Sequence, residues 1–278
     1  MDLLKEKAAG HVARIDKAIR RELDSYSWSR FHDPLTYAAE GGKRIRPLML
    51  LLAGEAVGKS NGDPLPVAVA VELLHTESII HDDIIDQENF RRNRMAFHVQ
   101  YGYGASMLTA DFVFGIILEI ASRYADPRVA QELSTAALRM CEGEFWELKV
   151  DPAVYRLTKE EYVRMITLKT ASLFQTSAKL GAIIGGGDEA AVSSLSSYGL
   201  QLGVAYQIQD DIQDWLRESK IPSALSLDPK RGETNRVQLK RLARTYAAKA
   251  KQELGVLPSS FSRSCLEQLA DFSAEHPE

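Results

Sequence analysis

Three aspartates at the end of a long apolar run are the first residues that could do chemistry. His81-Asp82-Asp83-Ile84-Ile85-Asp86 closes a stretch that begins at Val67. On a helix Asp82 and Asp86 share a face, and Asp83 stands three positions before Asp86. Like charges at that spacing cost stability. A hard cation offsets the cost, and carboxylate oxygens with spare water positions suit Mg²⁺. One such cluster reads equally well as a solvated helix end. A second copy changes the balance: Gln207-Ile208-Gln209-Asp210-Asp211-Ile212-Gln213-Asp214 repeats the spacing, again after an apolar helical run. Two acidic helix faces directed at one cavity would clamp several metal ions.

Cations accompany the carboxylates. Lys43, Arg44 and Arg46 sit in Gly41-Gly42-Lys43-Arg44-Ile45-Arg46-Pro47, Arg91, Arg92 and Arg94 follow the first cluster, and Lys169 stands among apolar neighbours. Carboxylate, divalent cation and guanidinium together are the means of gripping diphosphates. Gly41-Gly42 lets backbone approach an anion closely. No Ser-His-Asp arrangement, Walker loop or dinucleotide fingerprint is present. Strong diphosphate grips without a nucleophile point to chemistry in which diphosphate is the leaving group.

The elements that must position these groups read as helices throughout. Apolar periodicity predicts helices over about 2–24, 47–57, 65–86, 104–124 and 127–149, with a break over 26–34. Thr158-Lys159-Glu160-Glu161 is a capping box opening a helix to about Ile184, where Gly185-Gly186-Gly187 ends it. Further helices are expected over 188–217, 233–254 and 260–274. No period-2 run with hairpin signals and no low-complexity linker appears. The expectation is one all-α domain over 1–278, a large bundle with a central active-site cavity between helices.

Composition bounds the rest. A net charge of −4 argues against a general nucleic-acid binder or polybasic membrane binder. Cys141 and Cys265 lack a zinc or CxxC spacing, so buried free thiols in a reducing compartment are expected. No uninterrupted apolar stretch reaches membrane-span length, and the N-terminus is charged, so a cytoplasmic protein without a transmembrane segment is expected.

Taken in order, Gly41 to Pro47, Glu72-Leu73-Leu74-His75, Asp82 to Asp86 followed by Arg91-Arg92, Lys169-Thr170 and Gln207 to Asp214 resemble the trans-prenyltransferases. These are the head-to-tail isoprenyl diphosphate synthases of the farnesyl, geranylgeranyl and polyprenyl type. The resemblance runs from about Leu35 to Asp214 and is specific, because several independent motifs keep their order.

The resemblance implies Mg²⁺-dependent ionisation, condensation and elimination. Asp82, Asp86 and Asp210 would be the main metal ligands, with Asp83, Asp211 and Asp214 on the metals or one contact behind them. Arg91, Lys169 and Gln207 would hold an allylic diphosphate. Lys43, Arg46, His75 and Arg92 would bind isopentenyl diphosphate. Thr170 and the Gln207 amide would shield the allylic cation with oriented dipoles. A homodimer is implied, or a heteromeric assembly.

Each assignment competes with a plainer one. His75 also reads as a core histidine, Arg91-Arg92 as a solvated pair, and Lys169 as an ordinary exposed lysine. Arg44 and Arg94 read as peripheral, and Phe112, Phe114, Phe145, Trp146 and Phe174 as core. Three departures from the family pattern stand out: Asn93 where a glycine is usual, Glu144 and Glu147 where Gln and Asp are usual, and a short tail in which only Lys220, Pro222 and Asp228 remain of a lysine-rich loop. Ser78 and Glu77, just before the first cluster, lack the bulky aromatic that would block a growing chain, so geranylgeranyl diphosphate or longer is the expected product. The rival readings are a class I terpene cyclase, which needs no second diphosphate site, and an accessory subunit of a heteromeric synthase. A di-iron carboxylate bundle would need a second Glu-x-x-His.

Overall fold

A computed structural model describes residues 2–58, 62–91, 93–150, 157–218 and 232–275. Among the described residues the chain is all-α apart from one two-stranded ribbon. Its residues group into two compact units, Met1–Leu51 with Asp63–Leu133, and Leu52–Gly62 with Ser134–Glu278.

Unit 1 is built on α4 (Leu65–Ile85), which begins behind Pro64. Val67 to Leu74 are all buried, and all but Glu72 are apolar, so this part of the helix is a core element. α1 (Asp2–Asp24) lays Ile15, Ile19 and Leu23, four residues apart, into the same core. A short helix, α2 (His32–Ala39), forms where a continuous break is expected, because Pro34 and Asp33 both suit a first helical turn. α3 (Ile45–Ala56) starts in unit 1 with Arg46 and Pro47 in its first turn.

After α4 the chain makes β1 (Phe90–Arg91) and β2 (Arg94–Met95), antiparallel, with Phe90 opposite Met95 and Arg91 opposite Arg94. Two-residue strands are too short to leave a periodic signal, which is why the sequence shows none. Asn93 turns the ribbon at φ 60°, so asparagine takes the left-handed place of the usual glycine. α5 (Phe97–Tyr101) leads into α6 (Tyr103–Ser122), which packs on α4. Over its most apolar 18 residues α6 has a mean hydropathy of 1.6, and by length and composition alone it is the one described helix that could cross a bilayer. It nevertheless carries Asp111 and Glu119 and buries Val113, Ile116, Ile117 and Ile120.

Unit 2 takes the greater part of α7 (Arg128–Lys149) and then α8 (Lys159–Ile166), opened by the expected capping box between Thr158 and Glu161. The helix expected to run unbroken to Ile184 is interrupted by a π turn, Thr167–Ala171, before α9 (Ser172–Ile184). α10 (Glu189–Glu218) carries the second acidic cluster near its end, and α11 (Gly232–Glu253) and α12 (Phe261–Glu275) close the unit. The core here includes Tyr162, Met165, Ile166, Val204, Ile208 and Ile212. Phe174 is buried as expected, whereas Phe114 and Phe145 are exposed on α6 and α7. Cys265 is buried, but Cys141 is exposed.

Candidate active site

One group of candidate residues lies in unit 1. The loop before α3 owes its shape to Gly41 at φ 79°, Gly42 at φ 100° and Arg44 at φ 53°. Lys43 is exposed at its tip and Arg46 is half-buried. His75 is half-buried on α4, two turns before Asp82. Ser78 donates its hydroxyl to the His75 carbonyl at 2.9 Å.

Asp82 is half-buried in the last turn of α4, and Asp86 is exposed at the cap, where its N–H donates to the Asp82 carbonyl at 2.8 Å. Both carboxylates sit at the negative end of the helix dipole, and the last turn has no basic residue to balance them. Asp83 differs. It is 2% exposed and accepts from Arg91 Nε at 2.6 Å. Burial pushes its carboxyl above the ordinary range, and Arg91 pulls part of the way back. Glu77 faces His81 at 3.2 Å, and burial raises its carboxyl, with Asp111 adding repulsion. Arg92 lies outside the described residues.

Arg94, expected to be peripheral, ties the ribbon down. It donates to Glu40 at 2.6 Å and to the Tyr37 carbonyl at 2.8 Å, and its guanidinium lies 3.9 Å over the Tyr37 ring.

A second group lies in unit 2. Lys169 stands in the π turn, a local widening that often marks a functional position. Its Nζ lies 2.6 Å from Glu144 and 2.5 Å from Glu147, both on α7. Thr170, next along, donates to Gln207 Oε1 at 2.8 Å; the Gln207 amide donates to Asp211 Oδ1 at 2.7 Å. Tyr162 donates its hydroxyl to the other oxygen of Asp211. A chain of hydrogen bonds thus fixes Thr170, Gln207 and Asp211 in one arrangement. Asp210 is half-buried, and Asp214, one turn further along, is exposed.

The π turn is gripped from two sides. A Cβ on Gly143 of α7 would come within 2.3 Å of the Lys169 backbone nitrogen, and one on Gly203 of α10 within 2.6 Å of the Ala171 Cα. Neither neighbour is a side-chain tip that can swing away. Gly143→Ala is therefore expected to destabilise the protein by about 1–3 kcal/mol and to displace Lys169. Urea unfolding checks the first effect, and the KM for the allylic substrate checks the second.

Among the described residues no three His, Cys, Asp or Glu side chains converge as a ready-made metal group. The reason is visible in both clusters: Asp83 is drawn to Arg91, and Asp211 to Tyr162 and Gln207. What the clusters keep in common is a pair of carboxylates one helical turn apart, Asp82 with Asp86 and Asp210 with Asp214. Such all-oxygen pairs, completed by water or phosphate oxygens, fit a hard divalent cation.

Burial also pushes the Asp211 carboxyl up to about 7. A carboxyl whose folded pKa exceeds its unfolded value binds more protons when folded. Its stabilising contribution is complete below the unfolded value of 3.8 and is lost as pH rises through about 7. In the presence of a chelator, urea unfolding should show stability falling between pH 4 and pH 7. Asp211→Asn should flatten that dependence, and an unchanged slope would contradict the assignment.

The sequence reasoning missed Tyr162 and the roles of Glu144 and Glu147 as partners of Lys169. Glu144 and Glu147 stand three apart on one helix face, a signal that could have marked them.

Comparison with known proteins decides the kinship. The polyprenyl synthetase family model matches residues 29–255. The chain belongs to the polyprenyl synthetase family. It is 34% identical over 221 residues to the geranylgeranyl diphosphate synthase of Methanosarcina mazei, a match covering 77% of this chain and 66% of that protein. The chain thus spans just under two thirds of the length of that relative. The decaprenyl diphosphate synthase of Rhodobacter capsulatus superposes with a TM-score of 0.86 at 27% identity, covering 99% of this chain and 98% of that one. The polyprenyl synthase of Caulobacter crescentus, solved with calcium and isoprenyl diphosphate, gives a TM-score of 0.82 at 27% identity over 98% and 97% of the two chains. The family read from the motifs holds, as does the all-α class, which is that of the isoprenoid synthases.

Proposed function

We propose that this polyprenyl synthetase chain condenses isopentenyl diphosphate with an allylic diphosphate to give a longer trans-prenyl diphosphate, geranylgeranyl diphosphate or longer. The observation that carries this reading is the built basic loop. Its two glycines and Arg44 hold positive φ angles that leave Lys43 in solvent, and it is tied to the helix that bears His75. That gives the chain a diphosphate-binding group additional to Lys169 and Arg91, which a terpene cyclase does not need.

Asp82 and Asp86, and likewise Asp210 and Asp214, are the residues to hold divalent cations, magnesium in this proposal. Cations held there would supply positive charge against the diphosphate of the allylic substrate, whose carbon–oxygen bond breaks. Asp83 and Asp211 orient Arg91 and Gln207, and contribute to the metal sites through them. Lys169 and Arg91 add cationic donors to the same leaving group. Thr170 and Gln207, held by their mutual hydrogen bond, present dipoles of fixed direction to the allylic cation. Lys43, Arg46, His75 and Arg92 bind the diphosphate of isopentenyl diphosphate. Its double bond attacks the allylic carbon, and the departing diphosphate takes the proton lost in forming the new double bond. The chain contributes alignment and charge neutralisation.

Assembly with a second copy of the chain is part of the proposal. In unit 1, α6 exposes Met107, Leu108 and Leu118 at 63%, 58% and 56%, an apolar face suited to pairing. A monomeric mass by sedimentation would contradict this. A cytoplasmic location is part of the proposal, and the net charge of −4 argues against a general nucleic-acid binder. Product length is tested by chromatography after supplying each allylic starter with isopentenyl diphosphate. Products of geranylgeranyl length or more are expected, and a product that stops at farnesyl diphosphate would overturn the length assignment.

A further inference from the structure

The glycine loop of unit 1 contains one cation that faces inward. Lys43 is exposed and Arg46 half-buried, whereas Arg44 between them is 6% exposed. All three sides of its guanidinium are used. Nε donates to Asp16 of α1 at 2.9 Å, Nη1 to Glu72 of α4 at 2.7 Å, and Nη2 to the Ala39 carbonyl at the end of α2 at 2.6 Å.

Arg44 also holds a φ of 53°, in the left-handed region. For a residue with a side chain that region costs on the order of 1 kcal/mol or more, and glycine occupies it freely. Gly41 and Gly42, three and two positions earlier, take positive φ without penalty. An arginine at a place that favours glycine shows that the side chain is what the position requires. Breaking a buried ion pair from one side is costly, so the three bonds hold the loop in one conformation.

The anchor point matters. Glu72 lies three residues before His75 on the same helix face. Arg44 therefore ties the loop that carries Lys43 and Arg46 to the turn of α4 that precedes His75. We infer that Arg44, clamped by Asp16 and Glu72, is a positioning residue that sets Lys43 and Arg46 relative to His75 for the diphosphate of isopentenyl diphosphate. This rests on the proposed condensation. Arg44 itself does not meet substrate, because it is buried and each of its three guanidinium nitrogens already donates within the protein.

Steady-state kinetics of the full chain, varying each substrate in turn, test the inference with Arg44→Gly and Asp16→Asn. Glycine meets the backbone requirement at position 44, so Arg44→Gly removes the tie and not the turn. Its KM for isopentenyl diphosphate should rise about tenfold or more, with kcat and the allylic KM within about twofold. Asp16→Asn, which keeps an acceptor oxygen for Arg44 but removes its charge, should raise the same KM by about threefold. If Arg44→Gly does not fold, the Asp16→Asn result decides alone. The inference is overturned if both KM values move together, if kcat falls with the KM values unchanged, or if neither variant alters the KM for isopentenyl diphosphate. A wild-type chain that consumes no isopentenyl diphosphate would remove the condensation proposal and this inference with it; an active wild type whose variants behave identically removes only the role of Arg44.

Discussion

Replacing Asp82 or Asp210 by alanine should lower turnover by on the order of 10²–10³-fold while leaving the fold intact. The expectation rests on where the two carboxylates sit. Asp82 is half-buried at the C-terminal end of α4, where the helix dipole opposes negative charge, and it has Asp86 one turn away. Asp210 is half-buried near the end of α10, with Asp214 one turn further on. In each place the charge is unfavourable for the free helix and useful once a cation arrives. Removing either carboxylate should therefore leave stability unchanged or slightly raised, while turnover collapses. That opposite movement of the two readouts separates a metal ligand from a structural residue. Thermal unfolding and initial rates at saturating divalent cation provide both. Near-normal rates in both variants would refute the assignment.

The second large effect is expected at Lys169. Lys169→Ala should lower kcat/KM for the allylic diphosphate by on the order of 10²-fold. It should also cost about 1–3 kcal/mol of stability, because Glu144 and Glu147 lose the ammonium that lies between 2.5 and 2.6 Å from each. Two carboxylates thus satisfy the lysine, and in the proposed reaction a diphosphate would compete with them for it. Glu147→Gln weakens the competing partner and should lower the KM for the allylic diphosphate. A Lys169→Ala variant that loses stability but retains activity would confine Lys169 to holding α7 against the π turn.

How much of this was legible in the sequence depended on the range of the contact that mattered. The acidic clusters announce themselves, since repeated Asp-Asp-x-x-Asp spacing on a helix needs no tertiary information. The long helices follow from apolar periodicity, and Asn93 from its tolerance of positive φ. The π turn at Lys169 was invisible, because it leaves the apolar pattern continuous and is set by the close approach of Gly143 and Gly203. Arg44 looked peripheral because its partners Asp16 and Glu72 each lie 28 residues away. Tyr162 was missed for the same reason, standing 49 residues from Asp211. The ribbon over Phe90–Met95 is too short for any period. Residue chemistry marked the groups proposed to meet substrate, and the groups that hold them in place appeared only with the fold.

The most direct test of the central claim is incorporation of labelled isopentenyl diphosphate into prenyl product by the purified chain, with and without an allylic diphosphate and with and without magnesium. The account predicts labelled, elongated diphosphate only when both substrates and the cation are present. Product formed from the allylic diphosphate alone, or no incorporation with all three supplied, would contradict it.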